Sequence, residues 1–302
     1  MTWRRCSASG YRRPSRPRFL KEWVKARPIV AFFVLSYIGT WIIWVPVLLS
    51  KQGLGLASFD IPIPPPLFLI VSTITGPTLA AFLVERVVGG RDGVRALRHR
   101  VLHFRVNLGW YLLVIFGPLV ILLVASLWTG VSPVTTLAQH WELIFTSFLP
   151  ATALGLIVTI FEEIGWMGAA LPRLQAARGP LIACIILGPL WAAWHLPSFF
   201  VAGSGGASTT GINLPLIGLQ LLVLSLLAIA FRVVATWIFN ATAMAVPLIM
   251  LLHSAFDQAP ALFGELKIRE FSGNALDFTN YAAWAVCAVI VAILTRGRLK
   301  VA

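Results

Sequence analysis

The chain has 302 residues, of which 58% are hydrophobic and only 12% charged, with a mean hydropathy of +0.86. That charge content is about half the share of an ordinary soluble domain, and it excludes a water-soluble globular protein. The formal net charge of +13 suggests nucleic-acid binding, but the basic residues are distributed as a membrane topology signal and not as a binding patch.

Residues 1–27 are rich in Arg, Pro and Ser and read as a disordered basic cytoplasmic tail. Residues 28–300 read as a single transmembrane domain with no internal repeat. Eight apolar runs of spanning length follow one another: roughly 29–50, 66–88, 108–129, 142–170, 180–200, 212–231, 234–256 and 279–295. The expected fold class is therefore all-α, a polytopic membrane helix bundle of about eight transmembrane helices. The first run is too long for a signal-peptide core and lacks a small-residue cleavage site, so it is expected to be retained. Ile61-Pro62-Ile63-Pro64-Pro65-Pro66 cannot be helix interior and marks a loop before the second run. Gly89 to Arg105 reads as a basic amphipathic connector, Gly203 to Gly211 as a flexible loop, and 257–278 as the longest connection. The sixth and seventh runs are expected to meet at a corner near Arg232.

With eight crossings, 21 of the 24 Lys and Arg residues fall on one side; only Lys51, Lys267 and Arg269 fall on the other. Both termini are therefore expected in the cytoplasm, and the chain in the cell (inner) membrane. The partners this implies are the lipid bilayer and a membrane protein or peptide, with no nucleic acid. Cys6, Cys184 and Cys287 have neither zinc-ligand spacing nor a disulfide pattern.

Against this apolar background, Glu162 and Glu163 stand side by side in the fourth run, His195 in the fifth and His253 in the seventh. A charge at membrane depth costs about 2.5–3.5 kcal/mol even on lenient insertion scales, so such groups need a reason. Structural ion pairing, a proton or ion path, and a catalytic base each supply one. Adjacent helical residues point about 100° apart, so the two carboxylates have different tasks. Trp191 and His195 are one turn apart, as are His253 and Asp257, and each pair shares a helix face.

Glu162-Glu163-x-x-x-Met167, Trp191-x-x-x-His195 and His253-x-x-x-Asp257 occur in order on three apolar runs. Together they resemble the three motifs of the CPBP intramembrane metalloprotease family (CAAX proteases and bacteriocin-processing enzymes, also called the Abi family). The resemblance covers about residues 140–260. It implies an intramembrane endopeptidase that cleaves a membrane-associated or lipid-linked protein or peptide with a glutamate-activated water. In that pattern Glu162 is the base, His195 holds the water and relays its proton, and His253 donates to the oxyanion. Asp257 orients His253, and Glu163 supports the site. The resemblance leaves the cofactor open between none and a divalent metal such as zinc. Met167 stands where the family has arginine, so Glu163 must be protonated, pair with Arg173 or Arg232, or reach water. That departure keeps a second reading in play: a non-catalytic relative acting in immunity, regulation or scaffolding.

Overall fold

The computed structural model describes residues 16–62, 65–127, 133–201, 207–208, 211–265 and 274–300. Seven helical stretches in it are long and apolar enough to cross a bilayer: 28–49, 67–88, 108–126, 144–178, 180–200, 214–241 and 246–263. An eighth apolar helix, Thr279–Leu294, is shorter within the described residues. Their outward surfaces carry bare Ile42, Leu222, Leu226 and Ile293, the pattern expected where lipid replaces water as solvent. Strand is confined, among the described residues, to a two-residue antiparallel pairing of Ala207–Ser208 with Gly211–Ile212. The rest of the expected Gly203–Gly211 loop lies outside the described residues.

The N-terminal tail differs from its expected disorder. Residues Arg16–Ala26 form helix α1, whose Val24 is buried and whose Trp23 packs on the core; residues 1–15 lie outside the described residues. Apolar side chains at helical spacing give this short basic segment a surface to dock.

Helix α2 (Pro28–Leu49) begins with proline at its first turn, where no N–H is needed. Two of its side chains and one from the facing helix tie α2 to the end of α10 (Pro180–Trp194). Tyr37 donates to the Leu190 carbonyl at 2.5 Å, Trp41 to the Trp194 carbonyl at 3.0 Å, and the Trp194 indole to Thr40 Oγ1 at 2.6 Å. The second crossing is α3 (Pro65–Thr73), a π-helical turn at Ile74–Thr78 and α4 (Leu79–Val88). Pro77 lies inside that widened turn and has no N–H to contribute. Helix α5 (Gly90–Val101) then leads to α6 (Leu108–Ser126), which is capped by Asn107 accepting from the Gly109 N–H at 2.8 Å.

After the short α7 (Pro133–Gln139), the fourth crossing runs from a π-turn at Ile144–Phe148 through α8 (Leu149–Gly165), another π-turn at Trp166–Ala170 and α9 (Leu171–Arg178). Gly165 is required here: a Cβ would sit 2.5 Å from Pro77 Cβ and 2.7 Å from its carbonyl oxygen. The backbones of the second and fourth crossings can approach only through that hydrogen atom.

The expected corner near Arg232 is absent. Helix α11 runs unbroken from Leu214 to Ala241, long enough at about 1.5 Å per residue to cross the bilayer with room for tilt. The reversal comes at Ala243 and Met244, both left-handed with φ of 50° and 65°, before α12 (Val246–Glu265). Residues 257–265, expected in a connection, extend α12, and 266–273 lie outside the described residues. Helix α13 (Asn274–Leu294) closes the bundle. Without its partner in view, a charge in an apolar run such as Arg232 looks like the end of the run.

Candidate active site

The three motifs arrive from α8, from the end of α10 and from α12. Both glutamates are buried at the C-terminal end of α8, with Glu162 3% and Glu163 0% exposed. Their carboxylates diverge, as adjacent helical positions must, and each finds its own partner. Glu162 Oε2 accepts from the Trp191 indole N–H at 2.9 Å. Glu163 Oε2 accepts from Arg232 Nη1 at 2.7 Å, both side chains being fully buried. Its other oxygen, Oε1, lies 2.8 Å from His253 Nδ1, an ion-pair distance whose angle is off the line of a hydrogen bond.

The indole of Trp191 is the hub. Its ring centroid is 4.4 Å from the His195 ring and 5.6 Å from the His253 ring, edge-on to both, and the Arg232 guanidinium carbon lies 5.5 Å from it. His195 caps the end of α10 and is half-buried. Its Nδ1 lies 3.0 Å from the Trp191 carbonyl. A carbonyl only accepts, so Nδ1 carries the proton there, and Nε2 is the lone-pair nitrogen of the neutral ring. His253 is buried, with Nε2 3.8 Å from Asp257 Oδ2, too long for a hydrogen bond. The Asp257 side chain is 46% exposed and stands at the rim. The nearer carboxylate for orienting His253 is Glu163.

Donor atoms of Glu162, Glu163 and His253 lie within 4.8 Å of one another, and His195 is not among them. As an ion cage this set fits poorly. Two ligands of a tetrahedral zinc, each about 2.0–2.2 Å from the ion, stand about 3.4 Å apart, whereas Glu163 and His253 are at 2.8 Å. The Arg232 cation already holds Glu163, so a dication there would meet a fixed like charge.

Met167 is fully buried and apolar, and the cation its position lacks comes from Arg232. Of the two arginines the sequence offered, Arg173 is engaged elsewhere, bonded to Glu85 at 2.7 Å. The Trp191 bond to Glu162 was not anticipated. Its only sequence signal was the placement of an aromatic residue one turn before the histidine.

The family described as "Type II CAAX prenyl endopeptidase Rce1-like" matches residues 143–259, which contain all three motifs and Arg232. The motif-bearing segment is thus similar to the CAAX protease family. A curated relative, "CAAX prenyl protease 2" of Methanococcus maripaludis, is 41% identical over 59 residues, 20% of this chain and 22% of its own length. The match thus spans about a fifth of that relative. The CAAX protease assignment agrees with the motifs, and α1–α7 lie outside the matched residues.

Proposed function

We propose that the protein is an intramembrane endopeptidase that hydrolyses a peptide bond of a membrane-associated protein or peptide. The observation that carries this reading is the gathering of Glu162, Glu163 and His253 within 4.8 Å, with His195 against the same indole. Ion pairing with Arg232 accounts for Glu163 alone; Glu162, His195 and His253 gathered at one indole favour a chemical role. The CAAX protease match over the same residues supports it.

In the proposed mechanism Glu162 is the general base. Trp191 occupies one carboxylate oxygen and fixes the group, leaving the other to take a proton from water. His195, with its Nδ1 proton held by the Trp191 carbonyl, turns Nε2 toward the water and passes the proton on to the leaving amine. His253, in ion-pair contact through Nδ1 with Glu163, presents the Nε2–H of its protonated ring to the developing oxyanion. Arg232 keeps Glu163 anionic and in place. Asp257, at the rim, faces the same Nε2 from the open side. In this reading the cytoplasm holds both termini and the enzyme sits in the cell membrane, as the charge bias argues.

The alternative is a non-catalytic relative, suggested by Met167; the Arg232–Glu163 pair supports the catalytic reading by giving Glu163 a cation from another helix. The test is cleavage of membrane-inserted peptides by the detergent-purified full chain. Turnover lost in Glu162→Gln, at unchanged yield and helicity, supports the reading. Turnover equal in both proteins removes Glu162 as the base.

A further inference from the structure

Away from the buried site, α5 and its flanks enclose a cavity of about 1070 Å³ whose lining is strongly basic. Five arginines face it: Arg86 from the end of α4, Arg91, Arg95 and Arg98 from α5, and Arg105 from the segment leading to α6. The three on α5 are spaced four and three residues apart and so form one stripe. Leu97 and Arg100 belong to the other side of the helix. Leu97 is fully buried, at the point where a Cβ on Gly168 would come within 2.9 Å of it, and Arg100 approaches Glu85 at 3.8 Å. The inner side of α5 thus clamps onto the glutamate-bearing crossing, and the outer side is left to present cations.

These cations are not balanced by protein. Among the described residues, only Arg95 of the five has a carboxylate within 4 Å, the exposed Asp92 at 3.7 Å. His99 and His103 also line the cavity, with rings 5.7 Å apart. His103 Nδ1 lies 3.3 Å from the Ala243 carbonyl and donates to it, which pins the ring to the α11–α12 turn. One wall is therefore held by tertiary structure, unlike a loose basic tail.

The remaining lining is apolar, and its position identifies the ligand. Val94, Leu102 and Phe104 share the cavity with the arginines, and Leu102 and Phe104 are 60% and 58% exposed. The cavity lies between Val88, where the second crossing ends, and Leu108, where the third begins, so it sits at the level where hydrocarbon meets headgroup. A small soluble anion would satisfy the arginines and leave Leu102 and Phe104 in water. A molecule with a phosphate head and acyl chains satisfies both.

We propose that this cavity is a binding site for the phosphate headgroup of an anionic phospholipid, with Leu102 and Phe104 against its acyl chains. Guanidinium groups pair with phosphate oxygens in bidentate geometry, which suits an arginine-only stripe better than a lysine-rich one. The opposite side of α5 rests on Gly168, so the lipid would sit on a helix that buttresses the glutamate-bearing crossing.

The experiment uses the full chain in detergent, with native mass spectrometry for stoichiometry and thermal shift for affinity. The probes are phosphatidylglycerol, phosphatidylcholine with the same acyl chains, and inorganic pyrophosphate. Expected are retention of phosphatidylglycerol, a raised melting temperature with that lipid alone, and about 10- to 100-fold weaker binding in Arg91→Gln/Arg95→Gln/Arg98→Gln. These residues are exposed, so the variant is expected to fold. Removing the same charge from the tail in Arg5→Gln/Arg12→Gln/Arg13→Gln should leave affinity within about twofold. Equal losses in both variants would mean that net charge alone attracts the lipid and would overturn the site. Equal binding of the two lipids would overturn headgroup recognition. Stabilisation by pyrophosphate matching that by phosphatidylglycerol would make it a site for soluble phosphates and overturn the lipid assignment.

Discussion

Arg232 and Glu163 form a fully buried ion pair at 2.7 Å, joining α11 to α8 across the site. The pair explains two anomalies together. A carboxylate whose motif lacks its arginine, and an arginine in the middle of an apolar helix, each compensate the other. Met167, one turn after the second glutamate, brings no cation, and the charge that meets Glu163 comes from a different helix.

Breaking one side of this pair should be costly. Arg232→Met is expected to destabilise the protein by about 3–5 kcal/mol, because Glu163 is then left buried without its guanidinium. Arg232→Met/Met167→Arg, which moves the cation to the family's position, should recover most of the loss. Thermal unfolding in detergent measures both. A double variant no more stable than Arg232→Met would show that the site has no room for the motif arginine and would separate this chain's geometry from that of its relatives.

The sequence shows most of this arrangement, but not how it closes. The crossings were legible because apolar length is a property of single segments. The three motifs were legible because their residues are one helical turn apart. The partner of Glu163 was legible only as a choice between Arg173 and Arg232, since Arg232 lies 69 residues away and its meaning depends on a contact. Read alone, it marked a corner; in the structure it is the reason no corner is needed. The Trp191 bond to Glu162 was hidden for the same reason, spanning 29 residues between two helices.

Trp191 should matter for chemistry more than for folding. Trp191→Phe keeps an aromatic ring between the two histidines but removes the donor to Glu162. Cleavage is expected to fall at least about tenfold, with a smaller change in substrate affinity, because the base is no longer fixed. The split between kcat and KM is the measurement. A variant with unchanged kcat would remove the indole N–H from the account.

A second buried cluster provides a stability test independent of activity. Glu85 is bonded to Arg173 at 2.7 Å and faces Arg100 at 3.8 Å, so one carboxylate serves two cations. Glu85→Gln leaves those arginines facing each other without a counter-charge. The expected cost is about 2 kcal/mol, less than for Arg232 because both arginines keep some access to water. Added salt should reduce the loss, and a loss indifferent to salt would argue against a charge origin.

The fit of the donor set argues for metal-independent hydrolysis. Cleavage by the purified chain should persist after dialysis against a strong chelator, at about its starting rate. Loss of turnover that zinc restores would contradict this and would require Glu163 and His253 to separate from their 2.8 Å contact.

In the proposed mechanism Glu162, buried and held by Trp191, activates the water that cuts the peptide. Single-turnover cleavage of a membrane-inserted peptide by the wild-type chain and by Glu162→Gln, at matched folding, tests it most directly. Product is expected from the wild type, and a rate lower by at least about a thousandfold in the variant. Cleavage at the wild-type rate by Glu162→Gln would contradict it.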